Sequence, residues 1–355
     1  MKIVVLGLTI TSSWGNGHAT TYRALLRALA ARGHRIEFIE KDVEWYRSNR
    51  DLPHPEFCSV HLYDAWDSSA AALLQISADA DAVVVGSYFS DAVAATSGLL
   101  EQARCPLLFY DIDTPITLQR LRNEGGTEYL EADLIPGYSA YLSFTGGPAL
   151  AELEKNFGAQ RAVPFFCSVD PDLYQPTPHR AEFRCDLSYL GTYAEDRQAK
   201  LDRLLSGAAS LLPKKDFLVA GPQYPEHISW PPNVRRMVHI SPPGHPAFFS
   251  SSRFTLNLTR DAMVAAGYSP SVRLFEASAC GAAIISDNWV GLDHFLTPGE
   301  EVLVPADAVE LTYMLEHMSE AERKRIGQRA RDRILAEHTS EHRAVEFEQI
   351  IAECD

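Results

Sequence analysis

Four short stretches of this chain carry residue types whose spacing can do chemistry. The first is WGNGHATTYRALLRAL, Trp14 to Leu29. Gly15, Asn16 and Gly17 lead from a loop into a helix that opens near His18. Glycines there let the chain turn tightly and let a ligand approach the backbone. The helix start offers unpaired N–H groups and a positive dipole end, which suit phosphate or another electron-rich group. His18 titrates near neutrality unless perturbed, so it is a candidate acid or base. The plain alternative is a turn followed by a solvated cap.

The second stretch is SPSVRLFEASACGAAIISD, Ser269 to Asp287. It reads as a helix bounded on both sides, with Ser269 as N-cap, Pro270 at the first helical position and Gly281 just past the end. The N–H groups of Ser271 and Val272 are then free for a diphosphate. Arg273 and Glu276, three apart, share a helix face. A carboxylate at Glu276 can accept both hydroxyls of a ribose; a surface ion pair with Arg273 is the alternative.

The third is DLSYLGTYAEDRQAKLDRLL, Asp186 to Leu205, with two neighbours. A strand ends at Gly191, Thr192 follows, and Arg197 precedes a helix as a guanidinium fork for phosphate oxygens. Gly221 closes the next strand. Arg260, at a strand end in TLNLTRDAM, is a further phosphate candidate or a structural ion pair. The fourth is DIDTP, Asp111 to Pro115. Two carboxylates two apart share one side of an extended segment, but no third metal ligand is evident. Asp113 is preferred as a substrate contact or base.

A dinucleotide site was the obvious rival for GNGH. Glu40 falls 23 residues after Gly17, as a ribose-binding acid would. However, the first glycine of the fingerprint belongs directly after the strand, and here GNG lies well beyond Gly7, with Thr20 in place of the third glycine.

The elements that position these residues alternate strand and helix, which means α/β architecture. Expected strands are Lys2–Gly7, Arg35–Ile39, Ala82–Gly86, Pro106–Tyr110 and Ala140–Phe144. After a proline-rich linker, Cys167–Arg180, they resume at Asp186–Leu190, Phe217–Gly221, Val234–Ile240, Phe254–Leu258, Ala283–Ser286 and Val302–Val304. Tyr22, Leu25, Leu26 and Leu29 follow helical spacing and face a core. Two helices, Ser319–Glu337 and Ser340–Glu353, close the chain.

Composition narrows the partners. With 355 residues, two domains are expected. The net charge of −15 disfavours nucleic acid. No apolar run is long enough for a membrane span, MKIVVLGL reads as a buried strand rather than a leader, and six scattered cysteines without a C-x-x-C pair fit a reduced cytoplasmic protein.

Taken in order, these blocks resemble glycosyltransferases of the GT-B fold, and specifically the CgeB-like (spore maturation protein) family. WGNGHATTYRALLRAL, RGHRIEFIEKDVEWY and YDIDTPITLQRL match in the first half. DLSYLGTYAEDRQ, FLVAGPQYP, LNLTR, SPSVRLFEASACGAAIISD and GLDHFLTPGEEVLV match in the second. The resemblance implies two doubly wound Rossmann-like domains facing a central cleft. Residues 1–168 would form an acceptor domain, 169–338 a nucleotide-sugar domain, and 339–355 a helix crossing back to the first domain. It implies that Glu276 holds the donor ribose, that Ser271, Val272 and Arg273 meet the diphosphate, and that Arg197 contacts phosphate. GNGH would face the donor, with domain closure excluding water. Many retaining relatives carry a glutamate eight positions before the ribose-binding one; Tyr268 stands there, so the stereochemical outcome does not carry over.

The expected activity is sugar transfer from a nucleotide-diphosphate donor, UDP-linked, to the hydroxyl of a saccharide, protein or small-molecule acceptor. No metal is expected, because helix-start amides and arginines can neutralise the departing diphosphate. His18 or Asp113 would orient or deprotonate the acceptor. A nucleotide-sugar epimerase of the same fold and an inactive nucleotide-sugar-binding protein are the alternatives.

Overall fold

The computed structural model describes residues 1–355 apart from Asn16, Ala103 and Asp355. The chain divides into two compact units, Met1–Phe166 together with Ser340–Asp355, and Cys167–Thr339.

The first unit is built on seven strands: β1 Lys2–Leu6, β2 Arg35–Lys41, β3 Ser59–Tyr63, β4 Ala82–Gly86, β5 Leu107–Asp111, β6 Ala140–Ser143 and β7 Ala162–Pro164. All neighbours run parallel, in the order β3-β2-β1-β4-β5-β6-β7. The central strands β4 and β5, AVVVG and LLFYD, are buried throughout. That is the pattern of a parallel sheet covered on both faces. Strand order reverses between β1 and β4, so the loops leaving their carboxyl ends diverge and open a crevice there. The C-terminal helix, Ser340–Ala352, belongs to this unit. Glu348 on it accepts from Arg32 Nε and Nη2, each at 2.7 Å, and meets His34 Nε2 at 2.6 Å.

The second unit repeats the plan with five parallel strands: β8 Cys185–Leu190, β9 Phe217–Ala220, β10 Val234–Met237, β11 Ser252–Asn257 and β12 Ala283–Ser286. Their order is β10-β9-β8-β11-β12, with the reversal between β8 and β11. Leu187, Tyr189, Val219, Phe254, Leu256 and Ile285 form its core with Leu201, Leu205 and Leu311 from the covering helices.

Several sequence expectations need correction. β3 was not anticipated because SVHLY lies at a sheet edge and is mostly part-exposed, so no continuous apolar run marks it. β7 is three residues long. Val302–Val304 is not a strand: it makes only isolated bridges, Leu303 to Ile285 and Val302 to Pro298. Pro305 follows at once and has no N–H to extend a ladder. Among the described residues, no helix is long and apolar enough to cross a membrane.

Candidate active site

In the first unit the loop after β1 is fixed from below by a buried carboxylate. Glu40, fully buried at the end of β2, accepts from Thr9 Oγ1 (2.9 Å), Thr11 Oγ1 (2.6 Å) and the amides of Ile10 (2.7 Å) and Thr11 (3.1 Å). This occupies Glu40 fully and removes it as a ribose-binding acid. Asp51 anchors the next turn. It accepts from the Ser13 amide (2.9 Å) and from Arg23 through a bidentate pair at 2.8 and 2.9 Å, and Arg23 Nε in turn donates to the Ile10 carbonyl. Gly15 has φ +70°, a conformation that favours glycine. Gly17 is the N-cap of helix His18–Ala31 and has open space where a Cβ would stand. Asn16, expected here as a ligand contact, lies outside the described residues.

His18 is therefore delivered on a rigid base. The residue is 9% exposed, and Nδ1 is buried without a hydrogen-bond partner. Burial pulls its pKa below the ordinary value, and the charge of Asp113 opposes that pull. The Tyr88 ring meets it edge-on at 5.2 Å, and the Tyr88 hydroxyl donates to Asp113 Oδ2 at 3.1 Å. Tyr88 has φ +64°, rare for a side chain of its size. Backbone strain of this kind collects at functional sites. So the ends of β1, β4 and β5 bring His18, Tyr88 and Asp113 together at the crevice. Tyr88 was not singled out in sequence, since only its backbone conformation distinguishes it.

Asp111 and Asp113 do not act as a pair. Asp111 is fully buried and accepts from Tyr141 Oη (2.5 Å) and Thr117 Oγ1 (3.0 Å). Burial pushes its carboxyl up to about 6, with the Asp113 charge adding to the effect and the hydrogen bonds from Tyr141 and Thr117 opposing it. Asp113 caps the helix Thr114–Glu124 and is the one of the two turned toward Tyr88.

In the second unit the helix expected after SPS is Val272–Ala279, and its N-cap is Ser271 rather than Ser269. Ser271 is extended (φ −89°, ψ 148°), and Pro270 stands before the helix instead of opening it. The Ser271 hydroxyl donates to Asn257 Oδ1 at 2.6 Å, so no side chain caps this end and the first-turn amides of Val272 and Arg273 stay uncovered by a cap. Ser269 is buried. Gly281 sits past the C-cap with φ +70°, as the sequence predicts. Tyr268 has φ +46°, and its ring fills the space over Gly291.

The surface ion-pair alternative for Arg273 and Glu276 fails, because both are buried. Arg273 turns instead toward β8 and β11: Nε donates to the Leu190 carbonyl, Nη1 to Asn257 Oδ1 at 3.1 Å, and the guanidinium lies 4.8 Å from the Tyr189 ring centre. Glu276 faces Tyr174 and His245. His245 Nε2 bonds the Ile240 carbonyl at 3.0 Å; with that nitrogen protonated, Nδ1 accepts from the Tyr174 hydroxyl at 3.1 Å and lies 3.8 Å from Glu276 Oε2.

Arg197 lies inside the helix Glu195–Leu201 rather than before it. Its Nη2 donates to the Thr192 carbonyl at 2.8 Å and its Nε is buried without a partner. Gly191 and Gly221 face each other closely: a Cβ on Gly221 would lie 1.9 Å from the Gly191 carbonyl oxygen. Arg260 Nε donates to Asp196 Oδ2 at 3.4 Å, next to Arg197 in sequence, as the ion-pair alternative describes. Arg236, from β10, was missed. Its Nη2 donates to the Gly221 carbonyl at 3.2 Å, and its guanidinium stacks on Tyr224 and Trp230 at 3.8 and 4.8 Å from the ring centres. A strand arginine amid RRM carries no sequence signal for such a place.

Residues 197–349 match the family described as glycosyl transferase-like. A search of curated proteins gave no match. Solved structures match over nearly the whole chain. Sucrose-phosphate synthase (tll1590) from Thermosynechococcus elongatus has 15% identity and a TM-score of 0.72, covering 99% of this chain and 98% of its own. Anabaena Alr3699/HepE in complex with UDP-glucose has 12% identity and a TM-score of 0.74, covering 99% and 100%. A glycosyltransferase from Rickettsia africae ESF-5 has 11% identity and a TM-score of 0.69, covering 99% and 98%. The fold is GT-B, with two parallel-sheet Rossmann-like domains.

Proposed function

We propose that this chain is a metal-independent glycosyltransferase, of the hexosyltransferase class and the CgeB-like family, that moves a sugar from a UDP-linked donor to an acceptor hydroxyl. One observation carries the reading. At the carboxyl ends of β8 and β11, an uncapped helix start, the guanidinium groups of Arg197 and Arg273 and the buried carboxylate of Glu276 gather in one unit. Amides and guanidinium groups suit a diphosphate; a recessed carboxylate suits a ribose diol. The glycosyl transferase-like match spans these residues, and a relative of the same fold is in complex with UDP-glucose. Negative charge grows on the diphosphate as the glycosidic bond breaks, and fixed donors stabilise that charge best. His18, neutral at pH 7 through burial, takes the acceptor proton, and Asp113 stabilises the imidazolium that forms.

The test is calorimetric. Glu276→Gln is expected to weaken UDP binding by roughly 10- to 150-fold, the value of a charge-assisted hydrogen bond. Unchanged affinity would leave Glu276 as a structural partner of Tyr174 and His245 and remove the ribose role. Separately, turnover should survive EDTA. Full inhibition relieved by Mn²⁺ would reject the metal-free mechanism. Conversion of the donor without any acceptor would favour an epimerase.

A further inference from the structure

We propose that Arg236 is a third diphosphate ligand of the donor site, a role that rests on the nucleotide-sugar reading above. Its surroundings are those of a held charge without an internal counter-ion. Nε and Nη1 are both buried and without a partner, and Nη2 reaches only the Gly221 carbonyl. The guanidinium carbon lies over both the Tyr224 and Trp230 rings, which meet each other at 5.6 Å and 64°. Such cation–π contacts hold the charged group without using its donors.

The neighbours make the arrangement specific. Tyr224, which carries Arg236, also donates its hydroxyl to the Gly191 carbonyl at 3.2 Å, so it ties Arg236 to the loop that Arg197 spans. Arg197, Arg236 and Arg273 all act on the electrostatics of Tyr224. Every hydrogen bond these three guanidinium groups make among the described residues goes to a neutral acceptor: Thr192, Gly221, Leu190 and Asn257. Three positive groups gathered this way repel one another, and burial lowers the pKa of Arg236 and Arg273 further. A structural role would have given them a carboxylate hydrogen-bond partner, whereas Glu276 acts on Arg273 through its charge alone. Elsewhere this chain does so readily, as with Arg23 and Asp51 or Arg253 and Asp186. Here no carboxylate bonds any of the three among the described residues, and a diphosphate supplies the remaining counter-charge.

The experiment uses the full chain, with UDP and uridine as paired probes in calorimetry. Arg236→Met keeps an unbranched apolar side chain and removes the fork and its charge. It is expected to weaken UDP binding by roughly 10- to 100-fold while leaving uridine binding unchanged. Arg236→Lys serves if the methionine variant does not fold. It keeps the charge but not the fork, and roughly a 3- to 10-fold loss for UDP alone is expected. Equal UDP affinity in wild type and variant would overturn the role of Arg236 while leaving the donor reading intact. An equal loss for UDP and uridine would also overturn it, since the residue would then shape the pocket without touching phosphate. Failure of the wild-type chain to bind UDP would count against the nucleotide-sugar reading itself.

Discussion

His18→Ala is expected to lower kcat by roughly 10²- to 10⁴-fold, the usual contribution of a positioned acid or base, with little change in UDP affinity. The pH profile separates this from a packing defect. Burial holds the imidazole below its ordinary pKa of 6.5, despite the opposing charge of Asp113. It is therefore neutral at pH 7 and able to accept a proton. Activity should stay level as pH falls from 7.5 to about 6.5, then drop as His18 becomes charged. The alanine variant should lose that acid limb. An acid limb centred above pH 7, or one retained in the variant, would remove His18 as the base. Stability carries the same sign: the folded pKa lies below the unfolded one, so the unfolded chain binds the proton first. The His18 contribution is complete above pH 6.5 and declines below it. Asp111 acts oppositely. Its folded value of about 6 exceeds the ordinary 3.8, so it strengthens the fold as pH falls through 6 toward 4. Urea titrations of wild type and His18→Ala across pH 4–7 read the two apart, because only the Asp111 effect persists in the variant.

The helix His18–Ala31 and the strands KIVVL and AVVVG were legible because burial on a parallel sheet requires long apolar runs at fixed period. The two edge strands of the first sheet escape that logic. SVHLY needs polar residues on its open side, and AVP is too short to show a period. The site divides the same way. Gly191, Gly221 and Glu276 announce themselves through local patterns of strand end and helix start. Arg236 does not, for its proposed role depends on Tyr224 and Trp230 folding back onto it from the loop before its strand. Tyr88 depends on a backbone angle. The helix start was misjudged by two residues because a local rule, serine then proline, competes with a distant acceptor. Asn257, on another strand, takes the Ser271 hydroxyl and marks Ser271 as the boundary. Glu40 shows the opposite failure. Its spacing fits a ribose-binding acid, yet four hydrogen bonds from the Thr9–Thr11 loop consume the carboxylate.

Gly221→Ala tests whether the two glycine turns form one object, and its expected effect on stability is the largest of any single substitution proposed. Gly221 has φ +148°, a region costly for any residue with a side chain. The added methyl would also stand 1.9 Å from the Gly191 oxygen and 2.6 Å from its carbonyl carbon. Both obstacles are backbone, so no rotamer relieves them. Strain and overpacking together predict a loss of about 2–5 kcal/mol, read as a lower urea midpoint at unchanged slope. Gly191→Ala makes the contrast. Its methyl would meet Arg273 Nη2 at 2.7 Å and Tyr189 Oη at 2.8 Å, side-chain ends rather than backbone, at a position without positive φ. That variant should lose less stability than Gly221→Ala yet bind UDP more weakly, because one atom displaced is a proposed phosphate donor. If Gly221→Ala unfolds at the wild-type urea midpoint, the close backbone approach is wrong. If Gly191→Ala keeps full UDP affinity, Arg273 does not reach the diphosphate from this side of the loop.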